Sequence, residues 1–279
     1  MAVIASDRPQ TVQRVAMLAN YFEDAVFHGA TFTCACASGC LASRGNRGLI
    51  TGQLHHVGAD YDLTMDGRPL RIAVIGQEYG GGKPFTTLEK RCRDVAASRD
   101  LRFKAANGIK ARNPHMKGTT SVLRLLTGQG LGTDYEGEHL AFADGRRSHV
   151  FECFALTNFL LCSAVTSTTK TRGQSTDVMR ANCRVHFRRA MDILAPTVLV
   201  LQSKWFLADV LRSFDGIPER LGDATYRVRL GDSTATLFAF THPASHGKAS
   251  NWGWNDHTPY LLDTVQPAVE RWRREIRLN

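Results

Sequence analysis

The chain reads Leu-Arg-Ile-Ala-Val-Ile-Gly at residues 70–76, a short apolar run that contains β-branched side chains and ends at a glycine. Such a run is typical of a strand that is buried on both faces of a sheet. Similar apolar runs at residues 154–161, 197–201 and 235–240 predict three more strands.

Helical segments alternate with these strands. Apolar residues recur at helical spacing over residues 10–28, about 118–127, 178–194 and about 259–276. This alternation favours a parallel sheet that is covered on both faces. The sequence therefore predicts an α/β fold with three αβα layers around a central, mainly parallel sheet of four strands. Residues 33–40, which are small, polar and cysteine-rich, are predicted to form a loop.

The size and charge of the chain narrow the class of protein. Its 279 residues, 43% hydrophobic and 22% charged, suffice for one full core, so we predict a single domain over residues 1–279. The net charge of +9 favours a polyanionic partner such as nucleic acid. No segment resembles a secretory signal or approaches the roughly 20 apolar residues of a membrane span. These features predict a cytoplasmic, nucleoid-associated protein without membrane contact and, by default, a monomer.

Polar side chains stand at the ends of three predicted strands. Gln77 and Glu78 follow the first strand, Asn158 lies within the second, and His242 follows the fourth. Ligands of an open parallel sheet bind beyond the carboxyl ends of its strands, so these residues are candidates for one site. A carboxylate, an amide and an imidazole can assist glycosidic cleavage, read the edge of a base and stabilise a departing anion. Each residue taken singly also suits a structural role.

Five motifs, in this order along the chain, resemble the uracil-DNA glycosylase superfamily, particularly its iron–sulfur branch in bacteria and archaea. They are Cys40-Leu41-Ala42-Ser43-Arg44, Val74-Ile75-Gly76-Gln77-Glu78, Thr157-Asn158 followed by Cys162, Cys183 ahead of Ala195-Pro196, and His242-Pro243-Ala244. The resemblance covers most of residues 36–276, with gaps. It implies a DNA-binding enzyme that removes an altered base.

The resemblance also implies a [4Fe–4S] cluster, because four thiolates satisfy such a cube. The implied ligands are Cys36, Cys40, Cys162 and Cys183. The gap between the first two is one residue longer than in the family, and Cys34 is an alternative to Cys36. A structural zinc ion accepts the same four thiolates. The odd total of seven cysteines argues against a disulfide framework, and Cys92 and Cys153 are expected to be unligated.

The turn after the first strand departs from the nearest branch, which has Glu directly after the glycine. Here Gln77 precedes Glu78, as in the Gly-Gln-Asp-Pro-Tyr order of another branch, and Tyr79 follows. We assign Glu78 to orienting water and stabilising positive charge on the sugar. The resemblance implies that Asn158 reads the Watson–Crick edge of a flipped base and that His242 donates to the departing base.

The family stacks a phenylalanine from a Pro-Phe pair on the base. Two segments compete for this role, namely Pro84-Phe85, which follows the turn too closely, and Pro114-His115, which precedes a predicted helix. We favour His115 by position. In that case the stacking contact has changed, which puts uracil as the substrate in question.

A loop that follows His242 is expected to enter DNA. It contains Lys248, Trp252 and Trp254 among glycine, serine and asparagine residues, which favours exposure. The two aromatic rings suit stacking on bases, and the lysine suits contact with phosphate. Arg172 is expected to contact the DNA backbone as well.

These observations predict a monofunctional DNA glycosylase that excises a deaminated base, with uracil as the first candidate. A related glycosylase for another base is the alternative among enzymes, favoured by Gln77, Tyr79 and His115. An iron–sulfur protein that binds nucleic acid without catalysis is the alternative from another class.

Overall fold

The structure is a computed structural model that describes residues 3–29, 31–51, 54–78, 87–165, 175–247 and 250–278. In these ranges the chain forms a mixed α/β fold. The α-helices are α1 (Arg8–Ala25), α2 (Ala37–Ser43), α3 (Leu88–Arg99), α4 (Pro114–Thr127), α5 (Asp177–Leu194), α6 (Leu207–Leu211) and α7 (Gln266–Leu278). A π-helical turn at Leu261–Val265 leads directly into α7.

Short and long strands alternate with these helices. They are β1 (Ile4–Ser6), β2 (Phe27–His28), β3 (Thr31–Phe32), β4 (Gly48–Thr51), β5 (His56–Val57), β6 (Leu63–Met65), β7 (Arg68–Leu70), β8 (Ile72–Gly76), β9 (His139–Ala141), β10 (Arg147–His149), β11 (Phe154–Asn158), β12 (Cys162–Val165), β13 (Val198–Gln202), β14 (Asp215–Gly222), β15 (Thr225–Leu230) and β16 (Ser233–Phe240).

Among the described residues, the central sheet has seven strands in the order β14-β15-β16-β13-β8-β11-β5. Its middle strands β16, β13, β8 and β11 are parallel to one another. The other three are antiparallel additions at the two edges. The predicted count of four strands was therefore too low. The polar edge strand β14 lacks the apolar run by which buried strands are found, because most of its residues contact solvent.

Alternate residues of a strand point to opposite sides of the sheet, so the apolar strands present apolar side chains on both faces, and helices cover both. One core joins β8, through Val74, to α4 and α7. The other joins β8, through Ile75, to α1 and α5. The predicted strands and helices recur close to their expected bounds, which confirms the α/β class. None of the described helices is long and apolar enough to cross a membrane.

The predicted loop at residues 33–40 was wrong in its second half, where α2 begins at Ala37. Cys40 of α2 is buried, and its Sγ accepts a hydrogen bond from Asn182 Nδ2 of α5 at 3.4 Å. Gly39 faces the same asparagine, and a Cβ atom at this position would make an ordinary van der Waals contact with Asn182 Nδ2. Tertiary packing thus overrides the low helix propensity of the segment.

Candidate active site

The carboxyl ends of the four parallel strands lie along one edge of the sheet. Gly76 ends β8, Asn158 ends β11, and Gln202 ends β13, whereas His242 follows β16 after one intervening residue. The chain after Gly76 is held by the segment that follows β11, because the Leu160 N–H donates to the Gln77 carbonyl at 2.9 Å. This edge brings together the residues for which the sequence predicts a common site.

Glu78 is a partly buried carboxyl group at this edge. Burial raises its pKa to about 7, although a hydrogen bond from Ser163 and the charge of Arg180 act in the opposite direction. Gln77 Nε2 donates to Glu78 Oε1 and to Ser175 Oγ, each at 3.2 Å. Among the described residues, Glu78 Oε2 is buried without a hydrogen-bond partner. The second oxygen is therefore available to accept a hydrogen bond from water or from a ligand.

Asn158 is buried beside Gly76, with which it is paired across β11 and β8. Its backbone N–H donates to His55 Nδ1 at 3.2 Å. A Cβ atom at position 76 would lie 3.3 Å from Asn158 Oδ1, which is tighter than ordinary contact. Glycine at this position thus leaves room for the Asn158 carboxamide at the floor of the site.

His242 and His115 meet at the other end of this edge. The centroids of their rings are 5.7 Å apart. The Ala244 N–H donates to His242 Nδ1 at 3.1 Å, so the neutral His242 ring carries its proton on Nε2. Desolvation lowers the pKa of His242 below its usual 6.5 and lowers that of His115 to about 3. Both rings are therefore neutral at pH 7, and His242 Nε2 is a hydrogen-bond donor.

Two glycines permit the loop after β16 to lie directly on the amino end of α4. A Cβ atom at Gly118 would come within 2.7 Å of Pro243, and one at Gly253 within 1.9 Å of the Pro114 carbonyl oxygen. Larger side chains would force the loop and the helix apart. These contacts hold His242 next to His115, which lies between Pro114 and Gly118 in the chain.

A buried ion pair fixes the segment that leads into α4. Arg112 donates from Nη1 and Nη2 to the two carboxylate oxygens of Glu138, each at 2.7 Å. His149 Nε2 also lies 2.8 Å from Glu138 Oε2. All three side chains are buried. Such a fully partnered pair restrains the backbone one turn before His115.

The structure corrects the prediction that Trp252 lies on the DNA-binding loop surface. Trp252 is 0% exposed, its Nε1 donates to the Thr241 carbonyl at 2.7 Å, and its ring packs on Phe240. The loop turns back onto the sheet at this point, a path that its glycine- and serine-rich composition does not reveal. Trp254 is 44% exposed, so one of the two tryptophans of this loop has the exposed ring that the sequence predicts.

Two further residues of this edge were missed by the sequence analysis. Gln202 is a polar residue at the carboxyl end of β13, and the strand-end rule applied to this third strand would have identified it. Trp205, three residues later, is 87% exposed and follows the exposed Lys204. Tyr79, Phe85, Arg172 and Lys248 lie outside the described residues.

The cysteines predicted as ligands converge from distant parts of the chain. Cys162 of β12 is hydrogen-bonded to Cys183 of α5 and to Cys40 of α2, and these contacts raise the pKa of Cys162 and lower that of Cys40. All three thiols are buried. Cys36 caps the start of α2, and its carbonyl accepts from the Cys40 N–H at 3.0 Å.

Cys34 lies at the same group, close enough for the charges of Cys36, Cys183 and Cys40 to act on it. Its Sγ is 3.3 Å from His186 Nε2. Cys92 and Cys153 lie elsewhere, in contact with the carbonyls of Val57 and His149. Within the described ranges, no set of three or more His, Cys, Asp or Glu side chains already has the arrangement of a metal-ion site. The donor set itself, three buried thiols with a partly buried Cys36 nearby in the chain, fits an iron–sulfur cube or zinc.

Neither the family models nor the curated proteins compared with this chain match it. A functional interpretation therefore depends on the chemistry of the site and on the motifs that the site contains. That chemistry comprises a partly buried carboxyl group with a pKa near neutrality, a buried amide and a neutral imidazole donor at one sheet edge.

Proposed function

We propose that the protein is a monofunctional DNA glycosylase that flips a deaminated base, with uracil as the first candidate, and hydrolyses its N-glycosidic bond. One observation carries the proposal. Glu78, Asn158 and His242 stand at the carboxyl ends of three of the four parallel strands, in the order of the superfamily motifs. We infer that these four strands correspond to the central sheet of a uracil-DNA glycosylase-like fold.

In this proposal Glu78 acts in its ionised form. Its Oε2, which has no partner among the described residues, accepts a hydrogen bond from the attacking water. Its charge stabilises the sugar as positive charge develops there. Gln77 supports this role by holding Oε1, the other oxygen of the same carboxylate. The partly buried setting strengthens the interaction of the carboxylate with the developing charge.

Asn158 and His242 act on the base. The Asn158 carboxamide offers one donor pair and one acceptor to the edge of a flipped base. His242 presents the Nε2 proton to the oxygen on which negative charge collects as the base leaves. A neutral imidazole suffices for this role because it donates a hydrogen bond without transferring its proton.

His115 favours a second candidate, a glycosylase of the same superfamily for another damaged base. A neutral, partly buried imidazole stands beside His242, where a phenylalanine ring is expected to stack on uracil. An imidazole offers both a donor and an acceptor to a base, whereas a phenyl ring offers neither.

A lesion panel tests the proposal. Single-turnover incubation with oligonucleotides containing uracil, hypoxanthine or xanthine, single-stranded and paired, is expected to release at least one base and leave an abasic site. Release of uracil favours the first candidate, and release of another base alone favours the second. DNA binding without any abasic product would instead indicate a nucleic-acid-binding protein without catalysis.

We further propose that Cys36, Cys40, Cys162 and Cys183 hold a [4Fe–4S] cluster, with Cys34 as the alternative to Cys36 and zinc as the alternative metal. A bound cluster would supply a rigid cross-link between elements. The four thiolates would tie α2, β12 and α5 together. Ser163, next to Cys162, donates to Glu78, so the same cross-link would steady one side of the active site.

Protein purified without oxygen is expected to be brown and to contain about four irons per chain. Cys162→Ser should lose the iron and lower the Tm, because metal binding stabilises only the folded arrangement of ligands. Cys92→Ser is the matched control, since Cys92 lies away from the group, and should retain both. One zinc and no iron per chain would contradict the cluster.

The two tryptophans of the loop after β16 are expected to respond differently to substitution. Trp254→Ala should weaken binding of a single-stranded oligonucleotide by about tenfold without lowering the Tm, because a base loses its stacking partner. Trp252→Ala should cost about 3–5 kcal/mol of stability, because it leaves a cavity in the core. Fluorescence anisotropy and thermal unfolding measure the two effects. Unchanged DNA affinity of Trp254→Ala would place the interface elsewhere.

A further inference from the structure

Gln202 ends the one parallel strand to which the proposed mechanism gives no role. Strands β13 and β8 pair through Leu201 and Ile75, so Gln202 and Gly76 are the next positions of neighbouring strands. Asn158 pairs with Gly76 from the opposite side. Two carboxamides therefore flank the same glycine. Adjacent strands are about 4.8 Å apart, so a planar ring above the glycine lies within reach of both side chains.

The orientation of the Gln202 carboxamide is fixed by a chain of hydrogen bonds. Thr119 Oγ1 donates its single proton to the His115 carbonyl at 3.0 Å. The same hydroxyl oxygen lies 2.9 Å from Gln202 Nε2, so it accepts from the amide nitrogen. The reverse orientation of the carboxamide would place Gln202 Oε1 against Thr119 Oγ1, whose only proton is already donated to the His115 carbonyl. Gln202 consequently presents its nitrogen to α4 and directs Oε1 elsewhere.

Gln202 Oε1 has no hydrogen-bond partner in the described part of the chain, and the side chain is 0% exposed. A buried acceptor without a donor is costly, and native proteins retain few of them. In a binding site, such an acceptor is complementary to a donor on the ligand. Gln202 occupies the position next to Gly76 on the neighbouring strand, and Gly76 leaves room for the Asn158 carboxamide.

We propose that Gln202 is a specificity-determining residue whose Oε1 accepts a hydrogen bond from the lactam N–H of a deaminated base, an inference that rests on the proposed glycosylase function. Deamination of cytosine or adenine turns the acceptor nitrogen of the Watson–Crick edge into an N–H beside a carbonyl, as in uracil and hypoxanthine. Cytosine and adenine present a lone pair at that nitrogen, which an oxygen repels. The substrate class is therefore the deamination products of these two bases, with Asn158 reading a second position of the same edge.

Three variants test this role by single-turnover excision of the lesion that the wild type prefers. Gln202→Leu removes the acceptor at similar volume and is expected to lower the excision rate by about 10- to 100-fold. Its Tm should be equal or higher, because a buried unpaired oxygen disappears. Ser121→Ala removes from α4 another buried oxygen that has no hydrogen-bond partner within the described ranges, and it should leave the rate unchanged.

Thr119→Val keeps the acceptor but frees the Gln202 carboxamide to turn over. We expect it to reduce the ratio of uracil to cytosine excision, a readout that a purely structural role would not move. Equal rates in the wild type and Gln202→Leu would overturn the role of Gln202 and leave the glycosylase proposal standing. A lower Tm in Gln202→Leu with an equal fractional loss on every lesion would also overturn it. A wild type that releases no base from any oligonucleotide would remove both proposals together.

Discussion

Glu78→Gln is expected to lower the single-turnover excision rate by about 10²-fold or more, with little change in DNA affinity. The amide has nearly the same shape as the carboxyl group, but it cannot carry the charge that supports water attack and the positively charged sugar. The loss therefore falls on the transition state rather than on binding. Quenched-flow excision and anisotropy titration separate the two quantities.

The pH profile gives a second test of the same residue. Because burial raises the pKa of Glu78 to about 7, the wild-type rate should fall as pH decreases through 7, and this limb should be absent from Glu78→Gln. Ser163→Ala should move the limb to higher pH, since the Ser163 hydrogen bond favours the ionised form.

The raised pKa of Glu78 also makes the free energy of unfolding depend on pH. The stabilisation that comes from protonated Glu78 is fully present below the unfolded pKa of 4.5 and is lost as pH rises through about 7. Glu78→Gln should therefore be at least as stable as the wild type at pH 8, which excludes unfolding as the cause of lost activity. If Glu78→Gln keeps full activity while Gln77→Ala abolishes it, catalysis depends on a different register of this turn.

His242→Ala is expected to slow the chemical step by roughly 10²–10³-fold, the effect of removing one donor to a developing oxyanion. The hydrogen bond from the Ala244 N–H places the ring proton on Nε2, and this is the donor that the substitution removes. Burst kinetics with a lesion-bearing oligonucleotide measure the step directly.

His246→Ala is the matched control for this loss. His246 lies on the same loop, is exposed, and is placed beside Trp254 rather than beside His115. Its substitution should leave the chemical step unchanged. Equal losses in both variants would attribute the effect of His242→Ala to the loop as a whole.

The sequence by itself determined the α/β class, the four buried strands and most of the helices. Apolar periodicity is a local signal, and a strand buried on both faces, such as residues 72–76, carries it in every position. The strand-end rule also selected Gln77, Glu78, Asn158 and His242, because the topology of a parallel sheet places its carboxyl ends together whatever the loops do.

Only the tertiary structure decided the burial of Trp252 and the exposure of Trp205. Burial depends on the path that each segment takes over the rest of the fold and not on neighbouring residue types. The tertiary structure also decided that α2 is helical, because α2 packs against α5. It likewise decided the antiparallel edge of the sheet, because the polar residues of β14 give no apolar pattern. The orientation of Gln202 likewise depends on a hydroxyl from α4, more than eighty residues earlier in the chain, and no local pattern encodes that contact.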